Sequence, residues 1–97
     1  MPLETTKFNV QDYLKTPEDR AAYIEAAIEE NDPTFLVQAI GNVASAMGVS
    51  SFAAETGLSR EAIYKAFVRD GGNPTVETLF KALSAIGVQL TVKANAA

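Results

Sequence analysis

The stretch Val49-Ser50-Ser51-Phe52-Ala53-Ala54-Glu55-Thr56-Gly57-Leu58-Ser59-Arg60-Glu61-Ala62-Ile63-Tyr64-Lys65-Ala66-Phe67 decides the fold. It divides at Gly57 into two short runs of helical period. A helix-turn-helix needs two short helices that cross steeply, a small residue where they touch, a turn residue that tolerates positive φ, and apolar residues that lock the angle. Phe52 and Ala53 face inward from the first run, with Ala53 small enough for close approach, and Gly57 makes the turn. Leu58, Ile63 and either Ala66 or Phe67 pack behind the second run. Ser50 or Ser51 reads as the cap of the first helix and Ser59 as the cap of the second, which reaches about Val68.

Upstream, Thr16-Pro17-Glu18-Asp19 opens a helix by its hydroxyl cap, its first-turn proline and acids at the positive end of the dipole. That helix runs from about Pro17 to Glu30, with Ala21, Ile24, Ala27 and Ile28 on one face. Asp32-Pro33 repeats the same grammar. The helix it starts carries Leu36, Ile40, Val43, Ala44 and Met47 on one stripe and ends at Gly48, a candidate left-handed cap. Downstream, Asp70-Gly71-Gly72-Asn73-Pro74 breaks the chain into a loop, and a fifth helix from about Thr75 to Ile86 is expected to turn Val76, Leu79, Phe80, Leu83 and Ile86 inward. After Gly87 the period changes to two. Val88, Leu90 and Val92 alternate with Gln89, Thr91 and Lys93, which predicts a short strand over 88–93 paired either with the N-terminal arm near Phe8 to Val10 or with its own copy in a dimer. The expectation is thus an all-α single domain over 1–97: five helices, an N-terminal arm over residues 1–15 and a short C-terminal strand.

Composition narrows the function. The 97 residues are 47% apolar and 21% charged, the balance of a globular domain. No run reaches the roughly 18 apolar residues of a membrane span, and no basic, then apolar leader opens the chain, so a cytoplasmic protein with no membrane partner is expected. With no Cys and no His, the chain has no thiolate, no imidazole base and no soft metal ligand, so no metal and no cofactor are expected. The adjacent carboxylates Glu18 and Asp19 point in different directions on a helix and have no nucleophile beside them, so an enzyme is not expected.

The net charge of −4 opposes binding to phosphates, but the charge is unevenly placed. Up to residue 59 only Lys7, Lys15 and Arg20 stand against nine acids; beyond it Arg60, Lys65, Arg69, Lys81 and Lys93 stand against Glu61, Asp70 and Glu77. The outward side of the second motif helix presents Ser59, Arg60, Glu61, Tyr64 and Lys65 at the end that reads base edges in such motifs. Arg60 can donate two bonds to guanine and Glu61 can accept from cytosine; Lys65 suits a base edge or a phosphate. Glu61 can instead pair with Lys65 one turn on, and Tyr64 can instead lay its ring against the neighbouring helix. Phosphates suit the free amides at Ser50 and Ser51 and at Thr75 and Val76, with Arg69 and Lys81 nearby in sequence.

Gly57-Leu58-Ser59-Arg60-Glu61-Ala62-Ile63-Tyr64-Lys65-Ala66-Phe67, then Gly72-Asn73-Pro74-Thr75 and the helix to Gly87, resembles the addiction-module antidote proteins of bacterial toxin-antitoxin pairs, within the lambda-repressor and Cro-like class. Phe8 to Leu14 and Asp19 to Ile24 extend the resemblance over nearly the whole chain. It departs at Met47, where such sequences often carry a base, and at Ile63 and Phe67, where they often carry Leu. The resemblance implies an antitoxin of the HigA type that neutralises a RelE-like, HigB-type ribonuclease and represses its own operon as a homodimer on operator DNA. The cognate toxin, itself basic, would meet Tyr13, Tyr23, Glu25 and Glu29, whose acids otherwise serve solubility alone. Two other readings fit the residues: a stand-alone repressor, and a protein-interaction adaptor that has lost DNA binding.

Since Gly57 is expected at positive φ, Gly57→Val should cost about 1–2 kcal/mol and broaden the melting transition. An unchanged melting temperature would place the turn elsewhere.

Overall fold

The computed structural model describes residues 13–95, and within them every regular element is helical. These are α1 (Pro17–Glu29), α2 (Pro33–Met47), α3 (Val49–Thr56), α4 (Arg60–Ile63, running on as a wider turn over Tyr64–Val68) and α5 (Val76–Ile86). The five expected helices are present among the described residues. The expected N-terminal arm, with Phe8 and Val10, lies outside them up to residue 12.

Local chemistry sets most boundaries. Thr16 Oγ1 accepts from the Asp19 amide at 3.1 Å, and Asp32 Oδ1 accepts from Thr34 and Phe35 at 3.0 and 3.4 Å. Ser59 and Thr75 cap α4 and α5 in the same way, through the Ala62 and Thr78 amides. The helix α3 departs from expectation, because neither Ser50 nor Ser51 caps it. Gly48 occupies the cap position with no side-chain bond, closing α2 and opening α3 at φ 94° and ψ 123°, outside the left-handed helical cap expected of it. The two helices bend by 109° at that one residue.

One apolar core joins Leu14, Ile24, Ala27, Ile40, Val43 and Ala44 to Phe52, Ile63, Phe67, Leu83 and Ile86. The α3–α4 crossing is held by an aromatic pair, and the turn between the helices by the hydroxyl of Thr56. The Phe52 and Phe67 rings meet edge to face, 87° apart with centroids 6.2 Å apart, an arrangement worth about 0.5–1.5 kcal/mol beyond the area it buries. Thr56, almost wholly buried, donates through Oγ1 to the Phe52 carbonyl at 2.9 Å and accepts from the Leu58 amide at 3.1 Å. Between them Gly57 stands at φ 77°, in the left-handed region that favours glycine. Its Cβ position meets nothing, so a side chain there is opposed by backbone conformation alone.

The wider turn after Ile63 is recorded by the Arg69 amide, which donates to the Tyr64 carbonyl five residues back at 2.7 Å. There Phe67, not Ala66, takes the fully buried position. Its backbone comes so close to α2 that a Cβ at Gly41 would overlap the Phe67 carbonyl. Gly41 is thus a packing site between α2 and the end of α4.

Two expectations are corrected. Val76 and Phe80 of α5 are 71% and 58% exposed; Leu79, Ala82, Leu83 and Ile86 make the inward stripe. At about 100° per residue Phe80 stands a quarter-turn from Leu79, outside that stripe, and Val76 belongs to the first turn. Nor is there a strand over 88–93 among the described residues. Val88 is tied by its amide to the Leu83 carbonyl at 3.0 Å, and the rest runs on without a ladder because no second strand lies beside it among those residues. Leu90 and Val92 of the alternating run stay exposed, so the segment has no covered side beyond Val88.

Thr56→Val keeps the volume of the side chain but strands the Leu58 amide, which should cost about 1–3 kcal/mol in urea unfolding. A loss within error would show that water replaces the hydroxyl and that the turn is held by the aromatic pair.

Candidate nucleic-acid interface

The start of α4 is built from its cap outward. Ser59, at φ −74° and ψ 159°, turns the chain into the helix and receives the Ala62 amide on its hydroxyl at 3.0 Å. The amides of Arg60 and Glu61, ahead of it, have no helical acceptor and keep their partial positive charge toward solvent. Arg60, Glu61, Tyr64 and Lys65 are exposed on this helix, and Ile63 and Phe67 are buried beneath it. This division is what a reading surface requires. Polar groups project from a helix whose other side is fixed in the core.

The side chain of Arg60 is already placed. Its guanidinium donates through Nη2 to Ser50 Oγ at 2.7 Å, joining the first turn of α3 to the first turn of α4. Ser50 and Ser51, expected as caps, instead lie exposed within the first turn of α3. The first amide of that turn with a helical acceptor is Phe52, which donates to Gly48, so the Val49, Ser50 and Ser51 amides stay available to an anion. Two helix starts and one guanidinium are therefore assembled at one place. The sequence had marked these residues separately; nothing in their spacing of ten signalled the bond between them.

The neighbouring candidates divide. Glu61 and Lys65 make no ion pair with each other, so the i, i+4 pairing weighed from the sequence is not formed. Tyr64 is 46% exposed, so part of its side chain is covered and part faces solvent. Arg69 is exposed on extended backbone just past the wider turn. Thr75 spends its hydroxyl on α5, accepting from the Thr78 amide and donating to Thr78 Oγ1, both at 3.1 Å. Lys81 is engaged by Glu77 at 3.2 Å.

The four residues marked for a protein partner are not alike either. Tyr13 is exposed, and Glu25 and Glu29 are exposed on α1. Tyr23 is half-buried against the core, and its hydroxyl accepts from Asn42 Nδ2 at 2.8 Å, so it ties α1 to α2. Arg20, on α1, donates through Nε to the carbonyl of the buried Leu14 at 2.9 Å and fixes the entry of the chain. Among the described residues no group of three or more acidic side chains is placed to hold a metal ion. No single helix among them is long and apolar enough to cross a membrane.

An all-helical domain that presents a capped, polar helix start over a tightly locked crossing is the class these features define. Residues 4–94 match the family model described as "Probable addiction module antidote protein", and the chain belongs to that family. It is also 33% identical over 86 residues to an uncharacterized protein of Haemophilus influenzae, an alignment covering 89% of this chain and 88% of that protein. No solved structure matches it significantly. Membership in this family supports an antitoxin role in a toxin-antitoxin pair, and implies a cognate toxin as partner.

Because Ser50 and Arg60 are both exposed, their bond should contribute little to the fold. Ser50→Ala and Arg60→Ala should each shift the unfolding free energy by less than about 0.5 kcal/mol. A clear loss in either variant would make the bond a structural clasp between α3 and α4.

Proposed function

We propose that the protein is a non-enzymatic antitoxin of the HigA type with two separate binding surfaces, one for a RelE-like or HigB-like ribonuclease and one for the operator of its own operon. Family membership over 4–94 is the observation that carries the antitoxin reading. The DNA-binding reading rests on the start of α4. In it, α3 and α4 act as a lambda-repressor-like helix-turn-helix: α4 enters the major groove, Arg60 meets a guanine, Glu61 and Lys65 contact neighbouring edges or phosphates, and the amides of α3 with Ser50 and Ser51 hold the backbone. Ser59, Tyr64, Arg69 and the start of α5 at Thr75 flank that contact.

Ser50 gives this reading a definite chemistry. A guanidinium must lose conformational freedom to donate two parallel bonds, and one already held on a hydroxyl has lost part of it. A homodimer would set two such helices on one face of the duplex, half-sites about one helical turn apart. Val76 and Phe80, which the core leaves exposed, are apolar area available for that dimer. The surface for the toxin is assigned to α1, with Glu25 and Glu29 outward and Tyr13 at its approach, since a ribonuclease must carry cations for its own phosphates. Tyr23 contributes by holding α1 in place.

The proposal predicts a separation of the two activities. Arg60→Ala should weaken operator binding by about 1–3 kcal/mol in a mobility-shift titration and leave neutralisation of the toxin encoded by the adjoining reading frame intact. Glu25→Lys with Glu29→Lys should do the reverse in a growth-rescue assay. Loss of both activities in either variant would mean that toxin and operator share one face.

A further inference from the structure

The 88–93 segment, expected as a strand, instead forms one wall of a groove. The other wall is α1. The groove encloses about 590 Å³ and runs between Ile24, Ile28 and Glu29 of α1 and Leu90, Thr91 and Val92 of the segment. Leu83 and Val88 also line it. Its apolar walls are not closed over: Ile28 and Leu90 are each 42% exposed and Val92 is 97% exposed. The charges lining it are the two carboxylates of Glu25 and Glu29 and the single ammonium of Lys93.

We infer that this groove is the seat of an extended basic segment of the toxin; the inference rests on the antitoxin reading above and narrows its α1 surface to one cleft and one kind of ligand. Three observations set the occupant. Gln89 to Lys93 run without a hydrogen-bonded strand partner among the described residues, so their backbone offers donors and acceptors to a chain laid beside them. The alternation of Val88, Leu90 and Val92 with polar residues suits a strand, whose side chains alternate in direction, better than a helix. The excess of carboxylate on α1 selects cations, as a protein that acts on RNA must carry. A docked segment would thus place apolar side chains on Ile24, Ile28 and Leu90 and its Lys or Arg residues at Glu25 and Glu29. The segment that fails to be a strand by itself becomes one on binding.

The test uses the full chain, isotope-labelled, titrated with a ten-residue peptide of alternating valine and lysine and with its valine-glutamate counterpart. The lysine peptide should shift the amides of Gln89 to Lys93 and of Ile24 to Glu29 in a saturable manner, and the glutamate peptide should not. Glu25→Lys with Glu29→Lys should weaken binding of the lysine peptide by about tenfold or more. Shifts scattered over all acidic residues, or equal binding by that variant, would overturn the groove. Leu90→Asp with Val92→Asp, at side chains too exposed to threaten the fold, then separates the two levels of the argument. Lost growth rescue supports the groove. Full rescue by the double aspartate variant, with rescue lost in the double lysine variant, overturns the groove and leaves the acidic α1 surface standing. If the unaltered chain rescues from no toxin, the antitoxin reading itself fails and takes the partner assignment with it.

Discussion

The edge-to-face contact of Phe52 on Phe67 is the constraint on which the rest of the structure depends. It joins α3 to the end of α4 across the turn, and each ring is almost fully withdrawn from water. Two buried aromatic side chains contribute roughly 1.5–3 kcal/mol each by area alone, a large share of the marginal stability of so small a domain. The same Phe67 offers its carbonyl to the close approach of Gly41, so α2, α3 and α4 converge on one residue. Thr56 completes the lock by occupying the turn amide that would otherwise be buried unpaired.

Rigidity at that crossing has a consequence at the surface. With Ile63 and Phe67 pinned below, the outward residues of α4 hold fixed directions, and Arg60 reaches back to Ser50 on α3. A binding surface gains when its side chains are ordered before the ligand arrives, because less entropy is lost on contact. It also gains from fixed dipoles. The starts of α3 and α4 supply unpaired amides without adding formal charge, which is one way a chain of net charge −4 can meet an anion.

Much of this was legible in the residues. Thr16, Asp32 and Ser59 announced their helices because a cap is a local interaction between neighbours in sequence. Gly57 announced its turn for the same reason. What escaped was non-local or geometric. Gly41 sits mid-helix with no visible motive until Phe67 is brought against it, and Thr56 looks like an ordinary helix-end residue until its hydroxyl is seen bridging Phe52 and Leu58. The Ser50 to Arg60 bond depends on the crossing angle, which periodicity does not encode. Val76 and Phe80 were misjudged because apolar character marks a side chain as willing to be buried, without saying what buries it. The period-two run over 88–93 failed for a related reason. Alternation marks which side could be dry, but a dry side needs a neighbour to cover it, and Leu90 and Val92 remain exposed.

The charge pattern then takes on a structural meaning. The acids Glu25 and Glu29 and the bases Arg60 and Lys65 lie on different helices, α1 and α4, and α2 packs against both α1 and the Tyr64–Val68 turn. Where an acid and a base stand one turn apart on a helix, i, i+4 pairing can neutralise them locally and weaken the field a partner senses. Among the described residues such pairing occurs on α5, between Glu77 and Lys81, and not at Glu61 and Lys65. The exposed side of α4 thus keeps its charge unspent while α1 keeps the opposite sign. Opposite signs on separate helices keep the two fields apart, which is the charge arrangement that the proposed two-surface reading requires.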